Sequence, residues 1–177
     1  MNVVGIDPSL TCTGFAYANG NTNAVKFKQR PRGVDADRWT MRRVRILQAH
    51  TVIAIAGGCD VVAIEGYAYG AANKRESLGY LGWSIRETLA GLNVPYVDIA
   101  PSTLKGFATG SGKAAKQEMQ LAAVEQLGLK RDATADEADA AWLRDAVLHL
   151  AGESTRLPPS DRAAFLKKIE LPEGLKT

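Results

Sequence analysis

The sequence has 177 residues, enough for one compact domain with its own core and too few for two ordinary ones. Apolar residues make up 46% and charged residues 23%, a balance that argues against a disordered or fibrous chain. With a net charge of only +3, no apolar run near the ~20 residues of a membrane span, and no basic or long apolar leader at the N-terminus, the chain reads as cytoplasmic rather than secreted or membrane-embedded.

Val3 to Asp7 is a short apolar run closed by Pro8-Ser9 and predicts a buried strand. Thr13–Ala18 and Ala24–Lys28 predict two more strands, joined by a turn at Asn19-Gly20. After Pro31–Gly33, Asp35 or Asp37 can cap a helix whose apolar positions are Met41, Val44, Leu47, Thr51 and Ile55; Gly57-Gly58 stops it. Asp60–Glu65 predicts a strand that stays apolar until its last residue. Leu78, Leu81, Ile85 and Leu89 mark a second helix, and Val94–Ile99 a fifth strand, with Pro101 behind it. Lys113–Leu127 is helical, with Met119, Ala123 and Leu127 on one face. A last core helix runs from about Ala135 to Leu150, striped by Ala140, Leu143, Val147 and Leu150. This order predicts an α/β fold, with a five-stranded mixed sheet flanked by helices in the RNase H-like arrangement. The expected organisation is one domain over residues 1–152 and a peripheral C-terminal arm over 153–177.

Charge is unevenly distributed. Between Lys26 and Arg45 stand eight basic residues against Asp35 and Asp37, whereas Asp132–Asp145 holds five carboxylates opposed only by Arg144. An acidic spot within a mildly basic chain suits a metal site on a polyanion-binding surface; two solvated faces of opposite sign are the plainer alternative. Cys12 and Cys59 form no CxxC pair and are expected to be free thiols. His50 and His149 lie within helices, far from the acidic motifs, and read as ordinary helix residues.

Asp7 and Glu65 each close an apolar strand. A carboxylate there is costly unless it is solvated, paired or metal-bound, and two on neighbouring strands would repel each other without a cation. Either one alone could equally be a turn or capping residue. Asp136 and Asp139, three residues apart, share the helix face that continues into Ala140 and Leu143. Stabilisation by the helix N-terminus explains Asp136 and Glu137 well, and Asp139 less well. Glu137 is rotated by ~100° from that face and is expected to be exposed. Such hard oxygen donors suit Mg²⁺, with Mn²⁺ able to substitute, rather than zinc. Two ions roughly 3.5–4 Å apart could activate water and stabilise the leaving oxygen in phosphodiester hydrolysis.

At this point a family resemblance is specific. Gly5-Ile6-Asp7-Pro8-Ser9 with Thr13-Gly14 resembles the first motif of RuvC-family Holliday-junction resolvases, and Ala63-Ile64-Glu65 the second. Ala135–Ala140 resembles the paired acids of their last helix. Pro101–Lys105 and Thr109–Lys116 resemble the family's basic loop and helix start. The ordered match covers about residues 3–150. The resemblance implies a Mg²⁺-dependent endonuclease resolving Holliday junctions or related branched DNA. Asp7, Glu65, Asp136 and Asp139 would be the metal-binding catalytic acids. Lys105, Lys113 and Lys116 would hold DNA phosphates. Tyr67 or Tyr69 would stack in the opened junction, with core packing as the alternative. It also implies a homodimer, for which the helix of Leu78, Leu81, Trp83 and Ile85 is the expected interface; a core role for that helix is the other reading.

Two other classes compete: a nucleotide-binding domain of the actin/hexokinase type, and an RNase H-fold DNA-binding module without nuclease activity. The first needs two such domains, and the second leaves the four acids unexplained. An integrase or transposase of the same fold would be expected to carry extra DNA-binding domains. A P-loop is excluded, because Gly112-Lys113 is followed by Ala114 and the required upstream glycine is Phe107.

Overall fold

The computed structural model describes residues 1–9, 11–66 and 75–175, with the backbone alone over 75–78. Five strands, β1 (Val3–Asp7), β2 (Cys12–Ala16), β3 (Thr22–Lys26), β4 (Val61–Glu65) and β5 (Tyr96–Ile99), form one sheet in the order β3-β2-β1-β4-β5. The β1–β2 and β2–β3 pairs are antiparallel, and β4 is parallel to both β1 and β5. This is the expected mixed sheet. The hairpin strands β2 and β3 start and stop one to two residues earlier than predicted. The turn takes in Tyr17–Asn21: Tyr17 N–H donates to Asn21 O at 2.8 Å, and Asn21 N–H to the Asn19 side chain at 3.0 Å. Gly20 supplies the positive φ that this wider turn needs.

Strand periodicity sorts the core into two layers. Val4, Ile6, Phe15, Val62 and Ile64 face α1 (Ala36–Ile55) and α2 (Arg75–Gly91), against Val44, Leu47, Leu81, Ile85 and Leu89. Val3, Val61, Ala63, Val97 and Ile99 face the other way, toward α3 (Pro101–Thr109), α4 (Lys116–Leu127) and α5 (Ala135–Leu150). Asp35 caps α1, its carboxylate accepting from Asp37 N and Arg38 N at 3.0 Å each. Met41, expected on the buried stripe of α1, is exposed; it lies about 100° from the centre of the stripe set by Val44, Leu47, Thr51 and Ala54.

Helix α3 is absent from the sequence prediction, which gives a loop there. Pro101 begins the helix, in a position where its missing N–H costs nothing, and Leu104, Phe107 and Ala108 are buried. The stretch after Gly152, expected to be a peripheral arm, packs into the core through Leu166 and Leu171. It forms α6 (Ser160–Ala163) and a 3₁₀ turn (Ala164–Leu166). A side chain at Gly106 of α3 would come within 2.2 Å of the Phe165 ring, so that glycine is what lets the tail lie flat on α3. Arg156 anchors it further, lying over Phe107 (4.7 Å) and Trp142 (4.8 Å) and pairing with Asp145 at 2.8 Å.

Candidate active site

β1 and β4 are parallel and in register, Val3 against Val61 through Ile6 against Ile64. One step further along lie Asp7 and Glu65. Alternation puts both on the same face as Val3, Gly5, Val61 and Ala63, the face covered by α5. Their carboxyl groups meet there, each close enough to shift the other's ionisation.

α5 reaches this point because the strands beneath it lack side chains where it crosses. A Cβ on Gly5 would lie 2.0 Å from Ala140 O, and one on Gly14 only 1.9 Å from Asp136 O. Register places Gly14 opposite Asp7. The helix backbone therefore rests directly on β1 and β2, and its first turns deliver Asp136 and Asp139 to the strand ends. Ala138, Ala140 and Ala141, all small and buried, permit the same approach. Glu137 is half-buried rather than exposed. It closes a capping box with Thr134, accepting from Thr134 N at 2.8 Å, and takes a second bond from the Thr22 hydroxyl at 3.1 Å. Glu137 thus secures the helix end, while Asp136 and Asp139 turn toward the strand ends.

The electrostatics record the crowding. Burial first, then Glu65, Asp139 and Asp136, hold the Asp7 carboxyl well above the usual carboxylate range. Burial also raises Glu65, although the Asp7 hydrogen bond, Lys116 and Lys105 oppose the rise. Asp139 is pushed up to about 7, again by burial and then by Glu65. Lys116 pairs with Asp136 at 3.2 Å; burial pulls its ammonium down, but Asp136, Asp7 and Asp139 hold it above the ordinary lysine value.

The structure therefore brings Asp7, Glu65, Asp136 and Asp139 together, with Lys105 on α3 and Lys116 on α4 beside them. Lys113 is exposed in the turn leading into α4. Tyr67 and Tyr69 lie outside the described residues. Two contributors escape the sequence reading. The Cys12 thiol lies near Asp136, and burial, then that carboxylate, pushes its pKa up to about 12. Buried Arg86 on α2 ion-pairs with Asp98 on β5 and donates to Glu65 O at 3.4 Å, bracing the end of β4. Neither has a local signal, since both partners are distant in sequence.

Among the described residues no three His, Cys, Asp or Glu groups are arranged to hold a metal ion as they stand. Burial and its acidic neighbours hold Asp7 toward its neutral form, and Lys116 engages Asp136, so a cation would have to displace that ammonium. The donor set itself fits a hard divalent cation. It is carboxylate oxygen throughout, and its mutual repulsion is what a dication relieves.

The chain is similar to known proteins along most of its length. Two curated relatives, both "Crossover junction endodeoxyribonuclease RuvC" from strains DP4 and Hildenborough of Nitratidesulfovibrio vulgaris, are 28% identical over 156 residues, covering 85% of this chain and 90% of theirs. Among solved structures, Thermus thermophilus RuvC superposes with a TM-score of 0.62 at 23% identity, covering 89% of this chain and all of the other. T. thermophilus RuvC in complex with a Holliday junction substrate superposes at 0.64, with 22% identity over 89% of this chain and 99% of that one. At that identity the structural likeness speaks for the fold, the expected RNase H-like α/β arrangement. The family profile for crossover junction endodeoxyribonuclease RuvC matches residues 3–149, and on that match the chain belongs to the RuvC family.

Proposed function

We propose that this protein is a metal-dependent endodeoxyribonuclease that resolves Holliday junctions, or closely related branched DNA, by paired phosphodiester hydrolysis. The observation that carries the reading is the convergence of Asp7, Glu65, Asp136 and Asp139 at the strand ends under α5, in a chain of the RuvC family. A silent DNA-binding module would have no use for carboxylates held at such electrostatic cost. The site belongs to the domain over residues 1–152, and the described part of the C-terminal segment, through Leu166 and Leu171, packs against the layer that carries it.

The four acids would hold two Mg²⁺ ions, with Mn²⁺ able to substitute. When bound, the ions supply Lewis-acid polarisation of the scissile phosphate and a more acidic water. The chain's own residues do the rest. Asp7 and Glu65, fixed at adjacent strand ends, would turn their ionised oxygens to the ions, releasing to solvent whatever proton burial had retained. Asp136 exchanges its ion pair with Lys116, which is then available to a DNA phosphate. Lys105 adds a second point charge, and Lys113, exposed in the same turn region, a third at the periphery. Tyr67 or Tyr69, which follow Glu65 in sequence, would stack against bases opened at the junction centre.

A two-fold junction calls for two paired nicks, and so for a homodimer. On α2, Leu81 and Ile85 are buried in the core, whereas Trp83 is 62% and Tyr80 49% exposed. The interface therefore uses the Tyr80–Trp83 side, not the stripe as a whole. Trp83→Glu should turn a sedimenting dimer into a monomer; an unchanged dimer would move the interface off α2.

The deciding assay incubates the protein with a labelled four-way junction, a flap, a fork and a linear duplex, in Mg²⁺ or EDTA, beside Asp7→Asn. Cutting of branched DNA that needs Mg²⁺ and is lost in Asp7→Asn, with binding retained, is the expected result. Binding without cutting in Mg²⁺ or in Mn²⁺ would overturn it.

A further inference from the structure

The function proposed above uses none of the cations between Lys26 and Arg45, the most basic stretch of the chain. The fold brings that stretch to the active-site end. β3 runs in the same direction as β1, so Lys26 ends at the side of the sheet where Asp7 and Glu65 stand, and Phe27 N–H donates to Thr11 O there at 2.8 Å. α1 starts from this end and descends the sheet face opposite α5.

Arg38, Arg42 and Arg45 follow one another at i, i+4 and i+7, which stacks them along one side of α1. All three are exposed. They line a groove of about 1020 Å³ together with Trp39, Ile46 and the Pro31–Val34 loop. The Arg42 guanidinium lies over the Trp39 ring, 5.9 Å from its centroid, which restrains it. Asp35 also borders the groove, but its carboxylate is engaged in capping α1 and feels Arg30. Among the described residues Arg38, Arg42 and Arg45 pair with no carboxylate. An ordinary solvated helix face alternates its charges; this one presents three guanidiniums of one sign beside an aromatic wall.

We propose that this groove is a second DNA contact, holding the phosphate backbone of a double-stranded arm of the substrate away from the carboxylate cluster. Arg38 and Arg45 are separated by about 10 Å along the helix axis. At about 3.4 Å of axial rise per phosphate on one strand, that span covers about three base-pair steps, so each guanidinium has a backbone phosphate within reach. Arginine forks suit phosphate oxygens better than lysine would. The proposal rests on the nuclease reading and gives it an arm-binding surface.

The test uses the full chain. Equilibrium binding is measured in an Asp7→Asn background, where DNA stays intact, and single-turnover cutting in the otherwise unaltered protein. Each is compared with and without Arg38→Gln, Arg42→Gln and Arg45→Gln together, on junctions with long and with short arms. The triple change should weaken binding to long-armed junctions by at least about 10-fold and lower the salt slope by about 2–3, with the difference fading on short arms. The cutting rate at saturating DNA should stay within about 2-fold, since none of the three touches the acids. Arg38→Lys, Arg42→Lys and Arg45→Lys together should restore the slope, because charge sets it. If the parent protein binds and cuts junctions but the triple change alters neither affinity nor slope, the groove is not a DNA contact and the nuclease reading stands. A change in self-association at unchanged DNA affinity would assign the groove to a second copy of the chain. A parent that neither binds nor cuts branched DNA would remove both readings.

Discussion

Asp7 shows at the scale of one residue what the proposed site costs the fold. A carboxyl buried beside Glu65 and within reach of Asp139 and Asp136 is held well above the usual carboxylate range, chiefly by burial. The same holds for Asp139, which ionises at about 7 in the fold and near 4 in the unfolded chain. Between those two values the native state holds a proton that the unfolded chain has released. Stability from this group is therefore full at acid pH and is lost as pH rises to about 7. The metal-free protein should accordingly melt at a lower temperature at pH 8 than at pH 5. Added Mg²⁺ should raise the melting temperature more at pH 8, where the carboxylates are ionised. Thermal melts in EDTA and in Mg²⁺ at the two pH values check this; an equal metal effect at both would mean that the cluster does not take up the ion. Asp139→Asn removes one of these titrating groups and should flatten the EDTA profile.

At the scale of elements, the decisive contact is a helix on two bare strands. α5 is held against β1 and β2 by the absence of side chains at Gly5 and Gly14 and by its own alanines. Gly14→Ala would put a methyl group 1.9 Å from Asp136 O, so α5 must shift. Overpacking of this kind costs about 1–3 kcal/mol, a fall in melting temperature of about 2–4 °C per kcal/mol for a chain of this size. The effect on cutting should be larger than the effect on folding, because a displacement of ~1 Å at a catalytic carboxylate can cost ~10²-fold in rate. Melting curves and single-turnover cutting of the same variant separate the two. α3 belongs at this scale as well: it carries Lys105 toward the acids, and its glycine at position 106 accepts the Phe165 ring.

For the whole molecule, the tail closes the layer that carries α5. Arg156 lies over the rings of Phe107 and Trp142 and is paired with Asp145, whose side chain is only 11% exposed. Arg156→Ala leaves that carboxylate without its cation, and loss of one partner of a buried pair costs about 3–5 kcal/mol. A large drop in melting temperature with little change in DNA affinity is expected, read by calorimetry and by junction binding. A variant as stable as the parent would return the tail to the role of a peripheral arm. The two faces of the sheet also divide the labour. The α5 side holds the acids, and the α1–α2 side presents the basic groove and the exposed aromatic residues of α2.

Much of this was legible along the chain. The apolar runs ending in Asp7 and Glu65, the Asp136–Asp139 spacing and the extent of α5 are local patterns, set by strand and helix periodicity, and they needed no neighbour to be read. The order of elements was enough to give the mixed sheet. What the sequence could not carry is anything decided by distance across the fold. α3 was hidden because Pro101 reads equally as an end or a beginning, and only burial of Leu104 and Phe107 chooses between them. Glu137 looked exposed until Thr22, 115 residues away, turned out to be its partner. Gly5 and Gly14 stand in a recognisable motif, yet their reason is the backbone of a helix more than a hundred residues later. Periodicity is a property of neighbouring residues and survives in one dimension; close approach, ion pairing and the crowding of carboxyl groups depend on what folding brings within a few ångströms, and only the tertiary structure determines that.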